Sequence, residues 1–134
     1  MNGDTPLLLV DGANVVGSVP DGWWRDRRGA AARLRDRLLP LAATGLPAEG
    51  GAPPWAVGVP LDVVLVTEGA ARGVPPVPGV RIEEAAGSGD DLIADLAASA
   101  AGRRCLVVTA DRGLRARVEA AGAQCVGPRA VRPR

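Results

Sequence analysis

An α/β fold with a parallel sheet covered by helices on both faces is predicted by three observations. Short aliphatic runs, too apolar for surface loops and too short to be helices, alternate along the chain with stretches whose apolar residues recur at three- and four-residue spacing. Such alternation is the pattern of strands joined by helical crossovers. Three of the runs also end on acidic groups, at Asp11, Glu68 and Asp111, which is where an open α/β sheet presents side chains to a ligand crevice. With 134 residues the chain is long enough to bury one core, and no boundary or repeat divides it, so residues 1–134 are expected to form a single domain.

Taken in order, Leu7-Leu8-Leu9-Val10 reads as a strand buried on both faces, ending at Asp11-Gly12-Ala13-Asn14. Val15 to Gly22 reads as a Gly/Pro loop leading to Trp23-Trp24. Ala30, Ala31, Leu34, Leu38 and Leu41 mark one face of an amphipathic helix, with Pro40 expected to end it. Residues 44–60, rich in Gly, Pro and Ala, read as a long surface loop, a kind of segment that usually serves as a lid or a disordered insertion. Leu61 to Thr67 is the second strand. After a short turn or helix at Ala70 to Arg72, Val80 to Glu84 has the alternation of an edge strand.

Ser88 is placed to cap a helix carrying Asp90 and Asp91 in its first turn, with Asp91 as its capping-box partner and Gly102 at its end. Leu106 to Thr109 is the fourth strand. A last helix follows Asp111, buries Leu114, Val118 and Ala121 and stops at Gly122, and Ala123 to Val126 is the fifth strand. The basic tail 128–134 is expected to be loose.

Composition excludes several chemistries. There is no His, which removes Ser-His-Asp and Cys-His nucleophiles, imidazole acid/base work and most zinc sites. Cys105 and Cys125 lie in apolar runs and read as reduced, buried thiols. Every basic residue is Arg, and 16 of them against 15 carboxylates leave a net charge of +1, so global charge does not announce a nucleic-acid binder. The amino terminus lacks the form of a secretory signal and no run is long enough to span a bilayer, which predicts a cytoplasmic protein.

If the first and fourth strands are neighbours at the point where strand order reverses, Asp11, Asp90, Asp91 and Asp111 converge on one crevice. Carboxylates packed together must be protonated or neutralised by a cation. An all-oxygen donor set selects Mg²⁺ or Mn²⁺, which activates water and stabilises charge on a phosphate. Asn14 is either a turn former or the residue that orients Asp11. Glu68 is a candidate to support the cluster from behind. Asp95, one turn beyond Asp91, is another, though solvated surface explains it more simply. Arg25, Arg27, Arg28 and Arg112 are candidate phosphate contacts, and Trp23 and Trp24 candidate stacking surfaces for bases.

Each piece also has a plain structural reading. Asp111 has the form of an ordinary N-cap, and Asp90 and Asp91 suit a helix start in any protein. Asp11 costs strand propensity with no return visible in the sequence.

The ordered set Val10-Asp11-Gly12-Ala13-Asn14, Gly87-Ser88-Gly89-Asp90-Asp91-Leu92-Ile93 and Val107-Val108-Thr109-Ala110-Asp111-Arg112-Gly113-Leu114 resembles the NYN domain, a branch of the PIN-like metal-dependent ribonucleases. It is most similar to the YacP-like bacterial group. The resemblance implies a three-layer α/β/α fold with a mostly parallel five-stranded sheet and an acidic Mg²⁺ or Mn²⁺ site that cleaves RNA. Asp11, Asn14, Asp90, Asp91 and Asp111 fall on its site positions, and Thr109 on its Thr-x-Asp motif. Two other readings stay open: a nucleoside triphosphate pyrophosphohydrolase or phosphohydrolase on small nucleotides, and an RNA-binding adaptor of the same fold. The oligomeric state, monomer or homodimer, is not legible.

Overall fold

The computed structural model describes residues 5–132. Five strands, β1 (Leu7–Asp11), β2 (Asp62–Thr67), β3 (Val80–Glu84), β4 (Cys105–Val108) and β5 (Gln124–Val126), form one sheet in the order β3-β2-β1-β4-β5. All four pairings are parallel, with Leu8 opposite both Val63 and Leu106. Four helices accompany them: α1 (Gly12–Gly17), α2 (Arg27–Thr44), α3 (Gly89–Ser99) and α4 (Arg112–Ala120).

Alternation along the strands divides the core into two layers. Leu8, Val10, Val63 and Leu65 pack with Val15, Leu34 and Leu38 of α1 and α2. Leu7, Leu9, Val64 and Val66 face the other way, onto Ile93, Ala97, Leu114 and Val118 of α3 and α4. The result is the expected three-layer α/β/α sandwich. Strand order reverses between β1 and β4, so the crevice of a doubly wound sheet opens at Asp11.

Three expectations are corrected. The stretch read as a loop from Val15 begins inside α1, a helix too short to show a period of its own. Pro40 does not end α2, which continues to Thr44. Pro40 and Asp36 are both exposed, which places the missing hydrogen bond on the solvent side of the helix, where a proline costs least. The segment 44–60 is no lid. Leu46 and Ala56 are core residues, Leu46 N–H donates to the Ala56 carbonyl at 3.0 Å, and Trp55 lies against Arg104 at the amino end of β4, the opposite end of the sheet from Asp11.

The tail is not loose where it is described. Pro128–Ala130 forms a 3-10 turn, and Ala130 and Val131 join the core. Positions 133 and 134 of that expected tail lie outside the described residues. Among the described residues no helix is long and apolar enough to cross a membrane.

Candidate active site

The carboxyl edge of the sheet is built from the ends of β1, β2 and β4 and the starts of α1, α3 and α4. Asp11, only 4% exposed, closes β1 and caps α1. Its Oδ1 accepts from the Asn14 backbone N–H at 3.3 Å, and its Oδ2 accepts from the Thr109 hydroxyl at 2.8 Å. The cap is the structural return that the sequence did not reveal.

Thr109 is fully buried and serves as a relay. While its hydroxyl donates to Asp11, the same oxygen accepts from the Asp111 backbone N–H at 3.1 Å. Asp111 in turn caps α4, with Oδ1 accepting from Leu114 N–H at 2.9 Å. Asn14 straps the two sides of the crevice together, since its Oδ1 accepts from the Ala110 N–H at 2.9 Å. Asn14 therefore acts on Asp11 through its backbone and on the β4–α4 junction through its side chain.

Two glycines permit the close approach of these elements. A Cβ on Gly12 would sit 2.5 Å from the Val66 carbonyl oxygen, and one on Gly89 would sit 2.9 Å from Glu68 Oε1. Gly89 thus lets the Glu68 carboxylate lie against the start of α3. With β2 directly beside β1, the strand that ends at Glu68 is not one removed from Asp11, and the Glu68 charge acts on both Asp11 and Asp90.

The electrostatics bear this out. Burial raises the Asp11 carboxyl above its ordinary 3.8, the Thr109 and Asn14 hydrogen bonds oppose that shift, and the charges of Asp90 and Glu68 add to it. Asp90 is also raised, first by burial, then by Asp111 and Glu68 and last by Asp91, with Arg117 opposing. Asp11, Glu68, Asp90 and Asp111 therefore share one field.

Asp91 stands apart. Its side chain is 72% exposed and pairs with Arg117 across α3 and α4 at 2.9 Å. Ser88 caps α3 by accepting from Asp90 N–H at 3.1 Å, and no reciprocal bond from Asp91 completes the expected capping box. Asp95 is exposed on the same helix. Among the described residues, no three acidic or thiol side chains are gathered closely enough to hold an ion between them directly.

Beside the acidic edge lie two concavities. One, of about 300 Å³, is lined by Gly12, Ala13, Val16, Trp23, Thr67 and Glu68, among others. The other, of about 640 Å³, is an open cleft lined by Arg25, Arg27, Arg28 and Arg35, and Arg27 borders both. Trp23 and Trp24 meet edge to face at 5.9 Å, with the Arg27 guanidinium 5.1 Å from the Trp23 ring and that of Arg25 5.7 Å from the Trp24 ring. Trp24 is half exposed. Arg28 is tied to the Arg72 carbonyl at 2.9 Å. Arg112 is exposed at the start of α4, away from this cleft's lining.

Sequence reasoning missed Arg115, whose Nε donates to the Thr109 carbonyl at 2.9 Å, and Arg117. Both sit one turn or more into α4, where an Arg looks like ordinary solvated surface. Thr67 was also missed. It is 1% exposed, and its hydroxyl has no hydrogen-bond partner.

No protein-family model matches the chain, and no curated protein matches it by sequence. By structure it is similar to Rae1 (YacP) from Bacillus subtilis, solved as a W164L mutant, with a TM-score of 0.64 and 21% identity. The alignment covers 92% of this chain and 70% of that one. The likeness lies in the fold.

Proposed function

We propose that the chain is a metal-dependent ribonuclease of the PIN-like, NYN type, hydrolysing RNA phosphodiester bonds at the carboxyl edge of its sheet. The observation that carries this reading is the set Asp11, Glu68, Asp90 and Asp111, carboxylates brought to one sheet edge where burial first, and then the neighbouring negative charges, raise Asp11 and Asp90. A protein that needed these groups only as helix caps would have no reason to crowd them. The fold shared with YacP agrees with the group that the three sequence motifs resemble.

The donor set fits a hard divalent cation, Mg²⁺ or Mn²⁺. Because no three acidic side chains among the described residues are gathered around one point, the fit is to a hydrated ion touching one or two carboxylates, the rest acting through its waters, as Mg²⁺ prefers. Asp90 and Asp111, less buried than Asp11, are the residues to touch it, with Asp11 and Glu68 completing the negative shell. When bound, such an ion makes water a better nucleophile at neutral pH and offsets charge building on the phosphate.

The chain's own residues supply the rest. Thr109 and Asn14 fix Asp11 and the β4–α4 junction relative to each other. The first turn of α3 offers backbone N–H groups beside Asp90 to a phosphate oxygen. The arginine cleft gives neighbouring phosphates a track, and the half-exposed Trp24 gives a base a stacking surface.

The test is purified protein incubated with Mn²⁺ or Mg²⁺ and either labelled RNA or free nucleoside triphosphates, wild type beside Asp11→Asn and Asp111→Asn. RNA cleavage by wild type alone is expected. Loss of triphosphate with intact RNA would replace this reading with a nucleotide hydrolase. Retention of uncleaved RNA would replace it with an adaptor.

A further inference from the structure

The 300 Å³ pocket between α1 and the start of α2 has a composition that the acidic edge does not account for. Its lining is mostly small and apolar, from Gly12, Ala13, Val16, Ala31 and Ala71, with the Trp23 indole as one wall and Glu68 at the margin toward the carboxylates. The volume lies at the low end of small-molecule sites, fit for one planar ring system and its sugar rather than a longer ligand. Thr67 is also part of the wall, and its hydroxyl is buried without a partner. Buried hydroxyls are nearly always paired, so an orphan at a pocket wall calls for a ligand group to complete it. The hydroxyl oxygen is itself closed to solvent, so reading a base edge requires it to turn about χ1.

Position adds to composition. Glu68 joins the pocket to the acidic cluster, and Arg27 joins it to the arginine cleft. A chain with alternating bases and phosphates would thus meet, in succession, carboxylates, an apolar ring-sized pocket and guanidinium groups.

We propose that this pocket is a nucleobase subsite, which seats one base of the substrate next to the bond to be cleaved and reads its polar edge with the Thr67 hydroxyl. Trp23 and the small residues of α1 shape the slot, and Arg27 holds the phosphate on its far side. The inference deepens the ribonuclease reading and rests on it for the identity of the polymer. The chemistry recognised, a base, is common to RNA and free nucleotides.

The test separates the pocket from the nuclease. Binding of the four ribonucleoside 5′-monophosphates to the full chain is followed in EDTA by ligand-observed NMR and tryptophan fluorescence, with ribose 5-phosphate as the baseless control. At least one monophosphate should bind about tenfold or more tightly than ribose 5-phosphate. Thr67→Val should weaken it about fivefold to tenfold, the cost of one missing hydrogen bond, while leaving the melting temperature equal or higher, because an unpartnered hydroxyl is removed. A purely structural Thr67 would not produce that split. Ala71→Leu, which fills the slot from its rim, should abolish the preference for a base.

Equal binding of ribose 5-phosphate, or monophosphate binding unchanged in both variants, overturns the subsite. In the cleavage arm, an abasic residue placed beside the cleaved bond should raise KM in wild type and have little further effect in Ala71→Leu. If monophosphates bind as expected but only triphosphates are hydrolysed, the pocket stands and the ribonuclease reading falls.

Discussion

Two carboxylates at opposite ends of the same sheet are treated in opposite ways. Asp62, at the amino end of β2, accepts from Arg103 Nη2 at 2.9 Å and from Arg81 at 3.0 and 3.3 Å, while Arg103 also ties down the Thr5 carbonyl. Asp11, at the carboxyl end of β1, is buried with only neutral donors, and the Asp90 and Glu68 charges raise its carboxyl further after burial. The chain is rich in Arg, so a guanidinium could have been placed at either end. Pairing one carboxylate with two guanidinium groups and giving the other only neutral donors marks the first as architecture and leaves the second available for the cation proposed above.

The largest effect that could break this contrast is on turnover. Asp11→Asn should lower RNA cleavage by about 100-fold or more, the scale seen when a charge in a preorganised site is lost. Its fold should survive, because Asn keeps an Oδ1 to cap α1. Without divalent ions its melting temperature should equal or exceed that of wild type, since a penalised buried charge is gone. Cleavage assays and thermal melts on the same preparation check both halves. Full activity in Asp11→Asn would remove the site from this edge.

Next in size is the response to cations. Asp11 and Asp90 titrate above their ordinary 3.8 in the folded chain, so above that pH the folded state holds protons that the unfolded state has released. Stability from this cluster is present at low pH and is lost as pH rises through the raised folded values. At pH 7 the folded state therefore carries carboxylates penalised first by burial and then by repulsion. Mn²⁺ at about ten times its dissociation constant should raise the wild-type melting temperature by about 5 °C. The gain should shrink in Asp11→Asn, which removes one charge from the shell, and vanish near pH ~4, where the carboxyls take up protons. Melts at the two pH values with and without Mn²⁺ decide it, and an equal shift in wild type and variant would place the ion elsewhere.

What was legible in the sequence follows the strength of the local signal. The strands were plain because Leu7 to Val10, Val63 to Val66 and Leu106 to Val108 are continuous aliphatic runs, buried on both faces as parallel strands require. The acidic residues were legible because they interrupt or follow those runs. The six-residue α1 was not, since it is shorter than two turns and shows no period, and with it went the capping role of Asp11. Contacts made far along the chain were invisible for a different reason. Asp91 and Arg117 are 26 residues apart and Arg103 and Asp62 are 41 apart, and only the β3–α3–β4 crossover and the sheet order bring either pair together. Glu68 was underrated on the same ground, because its closeness to Asp90 depends on Gly89 lacking a Cβ.

At the amino edge the contrast predicts stability without activity. Asp62→Ala leaves Arg103, which is only 22% exposed, without its carboxylate. Partial exposure limits the loss to about 1–2 kcal/mol, or roughly 5 °C for a domain of this size. RNA cleavage below the new melting range should be unchanged. A Asp62→Ala protein that melts like wild type would mean that the Arg81 and Arg103 pairs are incidental, and one that loses activity would mean that the two ends of the sheet are coupled.

The finest division falls within one turn of α3. Asp90 is partly buried and feels Asp111 and Glu68, whereas the neighbouring Asp91 faces solvent and Arg117. A sequence pattern gives the two residues equal standing, but a helix advances by about 100° per residue and so sends adjacent side chains to different surroundings. Asp90→Asn should therefore reduce cleavage by about 100-fold. Asp91→Asn should change it by no more than about threefold and stability by less than about 1 kcal/mol, as for exposed ion pairs. Steady-state cleavage by the two variants at saturating Mn²⁺ reads the difference directly. Equal losses would mean that Arg117 releases Asp91 to the cluster when the cation binds, and the ion pair would then be a resting contact that the ion exchanges for its own.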